Sequence, residues 1–215
     1  KLVSVPTYSH LLKEDFGNGA STTSPGINTT YYCFERQLRN QSSTWCRGDY
    51  HMNDGDYAVT SALDPDHTGW SWVLPKDHTS NGKVADGRYL VVNIGDEIPV
   101  TTILYEKQIN DIIPNQPINF EFFAMNLMKF GAGKSDPDLR IALIDAAGKE
   151  ISWFTTGKIP RSNPDNKWEQ YPKTPITLNP GENKSLRFIV RSNVRDKNGN
   201  DVAIDDISVY QLPKS

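Results

Sequence analysis

From residue 87 onward the chain is a succession of short apolar–polar alternations, each closed by turn residues. They read GRYLVVNIG (87–95), TTILYEKQI (101–109), INFEFFAMNL (118–127), DLRIALID (138–145), EISWFTT (150–156), SLRFIVRSNV (185–194) and DVAIDDISVY (201–210). A period of two is the period of a strand, so one face of each segment carries the apolar residues. Ile118, Phe120, Phe122 and Ala124 share such a face, as do Leu139, Ile141 and Leu143, and Leu186, Phe188 and Val190. NPGEN and RDKNGN supply turn chemistry between segments. No stretch of eleven residues holds a helical period. Strands recurring every roughly 10–15 residues with turns between them predict an all-β, two-sheet antiparallel β-sandwich with long loops. No composition break and no internal repeat divides the chain, so one domain over 1–215 is expected, with its core at about 9–212.

The first half is different. Residues 17–55 hold no sustained period of 2 or 3.6, and short strands are expected only near 30–35 and 56–61. A long irregular excursion in a compact domain is usually functional or stapled. Cys33 and Cys46 are the two cysteines of the chain. As a disulfide they would close a polar loop, stabilising it by about 3 kcal/mol in the chain-entropy model. As free thiols they would do nothing, and no His stands at ligand spacing to make a zinc site.

Charge excludes some partners. With 26 acids against 23 bases the net charge is -3, which lacks the basic excess of a nucleic-acid binder. No run of eighteen apolar residues is present, so no membrane insertion is expected. The opening KLVSVPTYSH has no apolar signal region, so any signal peptide is expected to be removed or to lie outside the sequence.

Acids form the most informative chemical pattern. Glu14 stands near the start, Asp77 in an Asp-His-Thr string, and Asp205-Asp206 in the last strand. Pairing of the first and last strands would bring Glu14 to the Asp-Asp pair. Gathered carboxylates repel unless a cation or donor joins them, and irregular oxygen donors suit Ca²⁺. The alternative is ordinary solvated acids at strand ends and turns. In a regular pleat Asp206 shares a face with Val202 and Ile204, which makes it the stronger ligand candidate; a bulge at the pair would swap that assignment. Asn53 and Asp54, in the Asn-Asp-Gly-Asp turn, are further oxygen donors. No metalloprotease, nucleophile-elbow or P-loop pattern occurs, and no spacing singles out a catalytic carboxylate pair. The five tryptophans could stack on sugar rings, but a tryptophan in a β-sandwich is more often core, and nothing singles out a sugar platform. If a ligand binds, it is expected on the loop-rich face of 17–80 and 127–137 rather than at the sheet edges, with Trp70, Trp72 and Tyr50 as the aromatic candidates.

LLKEDFGNG, TSPGINTTYYC, NDGDYAVTS, DHT, GRYLVVNIGD, DPDLRIALID, LRFIVRSN and NGNDVAIDDISVYQ occur in this order. In this the chain resembles the jelly-roll domains of very large secreted surface proteins of Bacteroidetes-type bacteria, described as adhesin-like or gliding-motility-associated. It is similar, more distantly, to MAM adhesion domains and to jelly-roll carbohydrate-binding modules. The resemblance implies a jelly roll of galactose-binding-like or MAM-like type. It also implies a non-catalytic extracellular module, monomeric within a multidomain chain, whose ligand is a glycan or a surface protein. A carbohydrate-binding module attached to a glycan-degrading enzyme is the alternative, and an enzyme in its own right a third reading. Relatives of this kind hold a structural Ca²⁺ where the N-terminal acid meets the last strand, which points to Glu14, Asp77 and Asp206. The Tyr-Cys string at Cys33 matches the family's and supports a bridge to Cys46.

Overall fold

The computed structural model describes residues 9–19, 32–34, 51–68, 71–96, 98–99, 101–162 and 164–212. Among these, twelve strands build two sheets: β1 (Ser9–Glu14), β2 (Cys33–Phe34), β3 (Asp56–Thr60), β4 (Tyr89–Val92), β5 (Ile103–Ile109), β6 (Ile118–Asn126), β7 (Asp138–Ile144), β8 (Glu150–Lys158), β9 (Glu169–Tyr171), β10 (Thr177–Leu178), β11 (Leu186–Ser192) and β12 (Val202–Gln211). A single helical turn, α1 (Pro65–Thr68), lies between β3 and β4. Among the described residues no helix is long and apolar enough to cross a membrane.

The larger sheet runs β10-β6-β12-β4-β3-β2, with β1 also paired to β12 and β9 to β6; the smaller runs β5-β11-β7-β8. The fold is the expected all-β sandwich. Among the described strands the pairing is antiparallel save for the short parallel match of Cys33 with Asp56 and Phe34 with Tyr57; the isolated bridges Asn126–Arg161 and Ser135–Gly199 are also parallel. Of the strand expected near 30–35, the described part is β2.

The alternating faces meet between the sheets. Ile118, Phe120, Phe122 and Ala124 pack with Leu139, Ile141, Leu143, Leu186, Phe188, Val190, Val202 and Ile204 in one continuous core. Each large side chain fully buried there contributes about 1.5–3 kcal/mol from apolar burial. A second cluster lies on the outer face of the larger sheet, where Ala58, Tyr89, Val91, Met125 and Ala203 are covered by Leu63, Trp72, Val73, Leu127 and Met128.

β12 organises the larger sheet. One side pairs with β6 along most of its length; the other pairs with β4 through Val202–Ile204 and with β1 from Ile207 to Gln211. The register with β6 shifts between Asp205 and Ser208, and Asp206 takes a left-handed backbone (φ 48) that Asp tolerates better than most residues. The bulge falls where β12 passes from one neighbour to the other. It keeps Ile204 and Ile207 both in the inter-sheet core. A regular pleat would have set Asp206 beside Val202 and Ile204; the bulge turns it to the other side.

Candidate functional site

The Asp-Asp bulge is closed by the turn at 78–82, between α1 and β4. Asp205, with no exposed surface, accepts at Oδ2 from the backbone N–H of His78 (2.8 Å) and of Thr79 (3.4 Å), and at Oδ1 from Asp206 N–H (2.8 Å). Burial first, and then the neighbouring Asp206 charge, push its carboxyl up to about 8 against those hydrogen bonds. Asp206 accepts from Thr79 Oγ1 (2.7 Å) and meets His78 Nδ1 (2.5 Å). The His78 ring lies flat on Phe123, with centroids 3.5 Å apart. Asp77 is buried and accepts from Ser80 N–H (2.6 Å) and Ser80 Oγ (2.9 Å). Gly87 leaves room for that carboxyl, since a Cβ there would stand 2.5 Å from Asp77 Cγ.

Glu14 is a close backbone neighbour, paired with Ile207, yet its side chain turns inward. Its Oε1 accepts from the Tyr105 hydroxyl of β5 (3.2 Å) and its Oε2 from Phe16 N–H (3.3 Å). Asp206 therefore meets the turn that carries Asp77 through His78 and Thr79, while Asp77 itself bonds Ser80 and Glu14 faces the opposite sheet. Every oxygen of the three carboxylates takes an N–H or O–H donor or the His78 ring nitrogen. As placed, these residues do not fit a shared Ca²⁺ shell. Among the described residues no group of three or more His, Cys, Asp or Glu is gathered as metal ligands.

Asn53 and Asp54 belong to a different place. Asn53 donates its backbone N–H to Asp56 Oδ2 (3.0 Å) and its side-chain amide to the carbonyl of His51 (3.3 Å). Asp54 lines a cavity of about 250 Å³ together with Asn93, Asp201, Trp72, Met128 and Lys197. Asp201 is buried; its Oδ2 accepts from Trp72 Nε1 (3.0 Å) and its Oδ1 from Ile94 N–H (3.1 Å). Burial, and secondly the Asp54 charge, hold the Asp201 carboxyl well above the ordinary range.

Trp72 is 4% exposed, so it is part of the second cluster and offers no open ring face. Trp70, Tyr50 and Cys46 lie outside the described residues. Cys33 is buried in β2, and no described cysteine is a free thiol. Sequence reasoning passed over Trp153, which is 54% exposed. It stands on β8 opposite Ala142, and Ala142 in turn pairs with Ile189 of β11. The Arg140 guanidinium lies 4.8 Å from the indole centroid. Arg140 Nε donates to Glu150 Oε1 (2.7 Å), and Arg191 Nη1 to Glu150 Oε2 (3.0 Å). Arg187 Nη1 donates to Glu106 Oε2 (2.9 Å) on the same face. A signal was present: Trp153 and Phe154 are adjacent in a strand and cannot share a face, and Phe154 packs on the core.

No protein-family model matches the chain, and no curated protein matches it. Among solved structures the chain is similar to the CBM22-1 xylan-binding domain of Xyn10C from Paenibacillus barcinonensis, at 12% identity and TM-score 0.48 over 99% of this chain and 100% of that one. It is similar to the EclA C-terminal domain, a sugar-binding protein, at 14% identity and TM-score 0.37; the match covers 50% of this chain and 66% of that one. The K3 cleaved adhesin domain of Lys-gingipain from Porphyromonas gingivalis matches at 12% identity and TM-score 0.34, over 69% of this chain and 88% of that one.

Proposed function

We propose that the chain is a non-catalytic binding module of a secreted surface protein, and that it holds a glycan on the outer face of its four-stranded sheet. The observation that carries this reading is Trp153. A large indole kept more than half exposed on a regular strand is apolar surface left in water, and the C–H face of a pyranose ring is flat enough to cover it. Beside it, the Arg140–Glu150–Arg191 network fixes donors and an acceptor in place before any ligand arrives. Sugar hydroxyls need such preset partners, and a site built on paired strands loses little entropy in offering them.

The test is a glycan array read with the purified protein and with Trp153→Ala. The wild type is expected to bind, and the variant to lose that binding while its stability changes by no more than about 0.5 kcal/mol, as for an exposed residue. A blank array for the wild type, or equal binding by both proteins, would overturn the reading. The extracellular setting rests on the Cys33–Cys46 bridge, which only an oxidising compartment keeps. Reduction is expected to add two hydrogens to the mass of protein purified without reductant; an unchanged mass means free thiols and removes that support.

A further inference from the structure

We infer, resting on the Trp153 reading above, that the glycan is an uncharged linear chain bound along its interior. It runs from Trp153 across the four-stranded sheet into a hollow beside the turn between β7 and β8.

The hollow is a cavity of about 530 Å³ at the turn end of the same outer face. Ile144, the last residue of β7, lines it and shares one apolar cluster with Ala142, the residue opposite Trp153. Arg187 of β11 and Gln108 of β5 stand in register with Ile144 and line it too. The binding surface therefore does not end at the indole. From β8 to β5 is three strand spacings, about 14 Å, and from Ala142 to Ile144 the strand advances about 6.7 Å. One sugar ring on Trp153 is too short for that path, and a run of several units covers it.

The local sequence sets the hollow and keeps it open. Asp145 Oδ1 accepts from the N–H of Ala147 (3.0 Å) and of Lys149 (2.8 Å), and its carbonyl from Gly148 N–H (3.0 Å), which fixes the turn. Ala146 and Ala147 carry single methyl groups, and a Cβ at Gly148 would meet nothing within 4 Å. No large side chain of the turn fills the space.

The polar groups of the hollow suit hydroxyls. Gln108 spends its Nε2 on Ser185 Oγ, which leaves Oε1 as an acceptor. Arg187 gives Nη1 to Glu106 Oε2 (2.9 Å) and keeps Nε and Nη2 as donors. Asp145 Oδ2 is a further acceptor beside the oxygen that fixes the turn. Charge on this face is balanced. Glu150 serves Arg140 and Arg191, Glu106 serves Arg187, and Asp145 lines the hollow with Arg187. No lysine lines the hollow. A surface so balanced has no excess charge to draw a uronate, a sulfate or an amine. What it offers is donors and acceptors side by side, the pattern a neutral polyol uses.

The test is titration calorimetry with neutral cello-, xylo-, manno- and laminari-oligosaccharides of two to six units, and with oligogalacturonates of the same lengths. Wild-type affinity for a neutral series is expected to rise by about tenfold or more from the shortest member to the longest, and to exceed that for the galacturonates. This length series needs no variant. Ala147→Trp places an indole in the hollow from an exposed position of the turn. With folding checked by a thermal melt, it is expected to bring the longest oligomer down to the affinity of the shortest. A wild type that binds no neutral series overturns the inference, as does preference for the galacturonates or unchanged affinity for the longest oligomer in Ala147→Trp. Affinity that is constant with length yet lost in Trp153→Ala overturns it while leaving the Trp153 reading in place.

Discussion

Asp205 is a carboxyl with no exposed surface, held by three backbone N–H groups and pressed by Asp206. Its native pKa of about 8 lies above the ordinary aspartate value of about 3.9. Between those two pH values the native state keeps a proton that the unfolded chain has released. Stability from this group is thus fully present below about pH 4 and is lost as pH rises through about 8. Asp201, also raised by burial, acts with the same sign. The thermal midpoint of the wild type is expected to fall across this window more steeply than that of Asp205→Asn. Comparing slopes sets aside the constant cost of the new amide, whose NH₂ would face a backbone donor. Equal slopes would show that Asp205 does not titrate between the two pH values.

At the scale of elements, what was legible depended on whether a strand's neighbours are uniform along its length. β6, β7 and β11 each present one face to the inter-sheet core throughout, so their alternation translates directly into burial. β12 changes neighbour midway, from β4 to β1, and the change needs an extra residue. Nothing in the string Ile-Asp-Asp-Ile marks which residue is extra, because the bulge is set by strands distant in sequence, β1 and β4. Asp206 is the acid expected on the apolar face, but the bulge turns it to the other side, and Asp205 is the one buried and held by backbone N–H groups. The segment between β3 and β4 has no period to read. It covers the larger sheet through side-chain bonds such as Tyr89 OH to the Pro75 carbonyl (2.8 Å) and Trp72 Nε1 to Asp201 (3.0 Å). The polar residues that line the cavity beside the start of β12 were half legible. Asp54 sits in a visible turn motif, whereas Asn93 and Asp201 are single polar residues at the ends of apolar strands. Trp153 was hidden by the general tendency of tryptophan in a sandwich to be core, against which the neighbouring Phe154 was a counter-signal.

For the molecule as a whole, the two sheets differ in what they leave open. The larger one is roofed on its outer face by the second apolar cluster, and on the outer face of the smaller one Trp153 stands more than half exposed. Beside it a small apolar cluster of Ile103, Ala142, Ile144 and Ile189 lies buried, and arginine–glutamate pairs stand on the same face. On the function proposed above, recognition falls to a strand surface, while the described segment between β3 and β4 covers the larger sheet.

β1 and β12 lie side by side and antiparallel, with Ser9 opposite Gln211 and Glu14 opposite Ile207. Both strands therefore leave the sandwich at the same pole. Ladder hydrogen bonds run perpendicular to their strands, so tension entering through these two ends pulls along the bonds and loads them one at a time from Ser9–Gln211 inward. The domain is built to unzip rather than to shear. Pulled in an optical trap through handles placed beyond these two strands, it is expected to open at a lower force than when pulled through residues at opposite poles. Equal forces along both axes would mean that the β1–β12 ladder is not where the molecule yields.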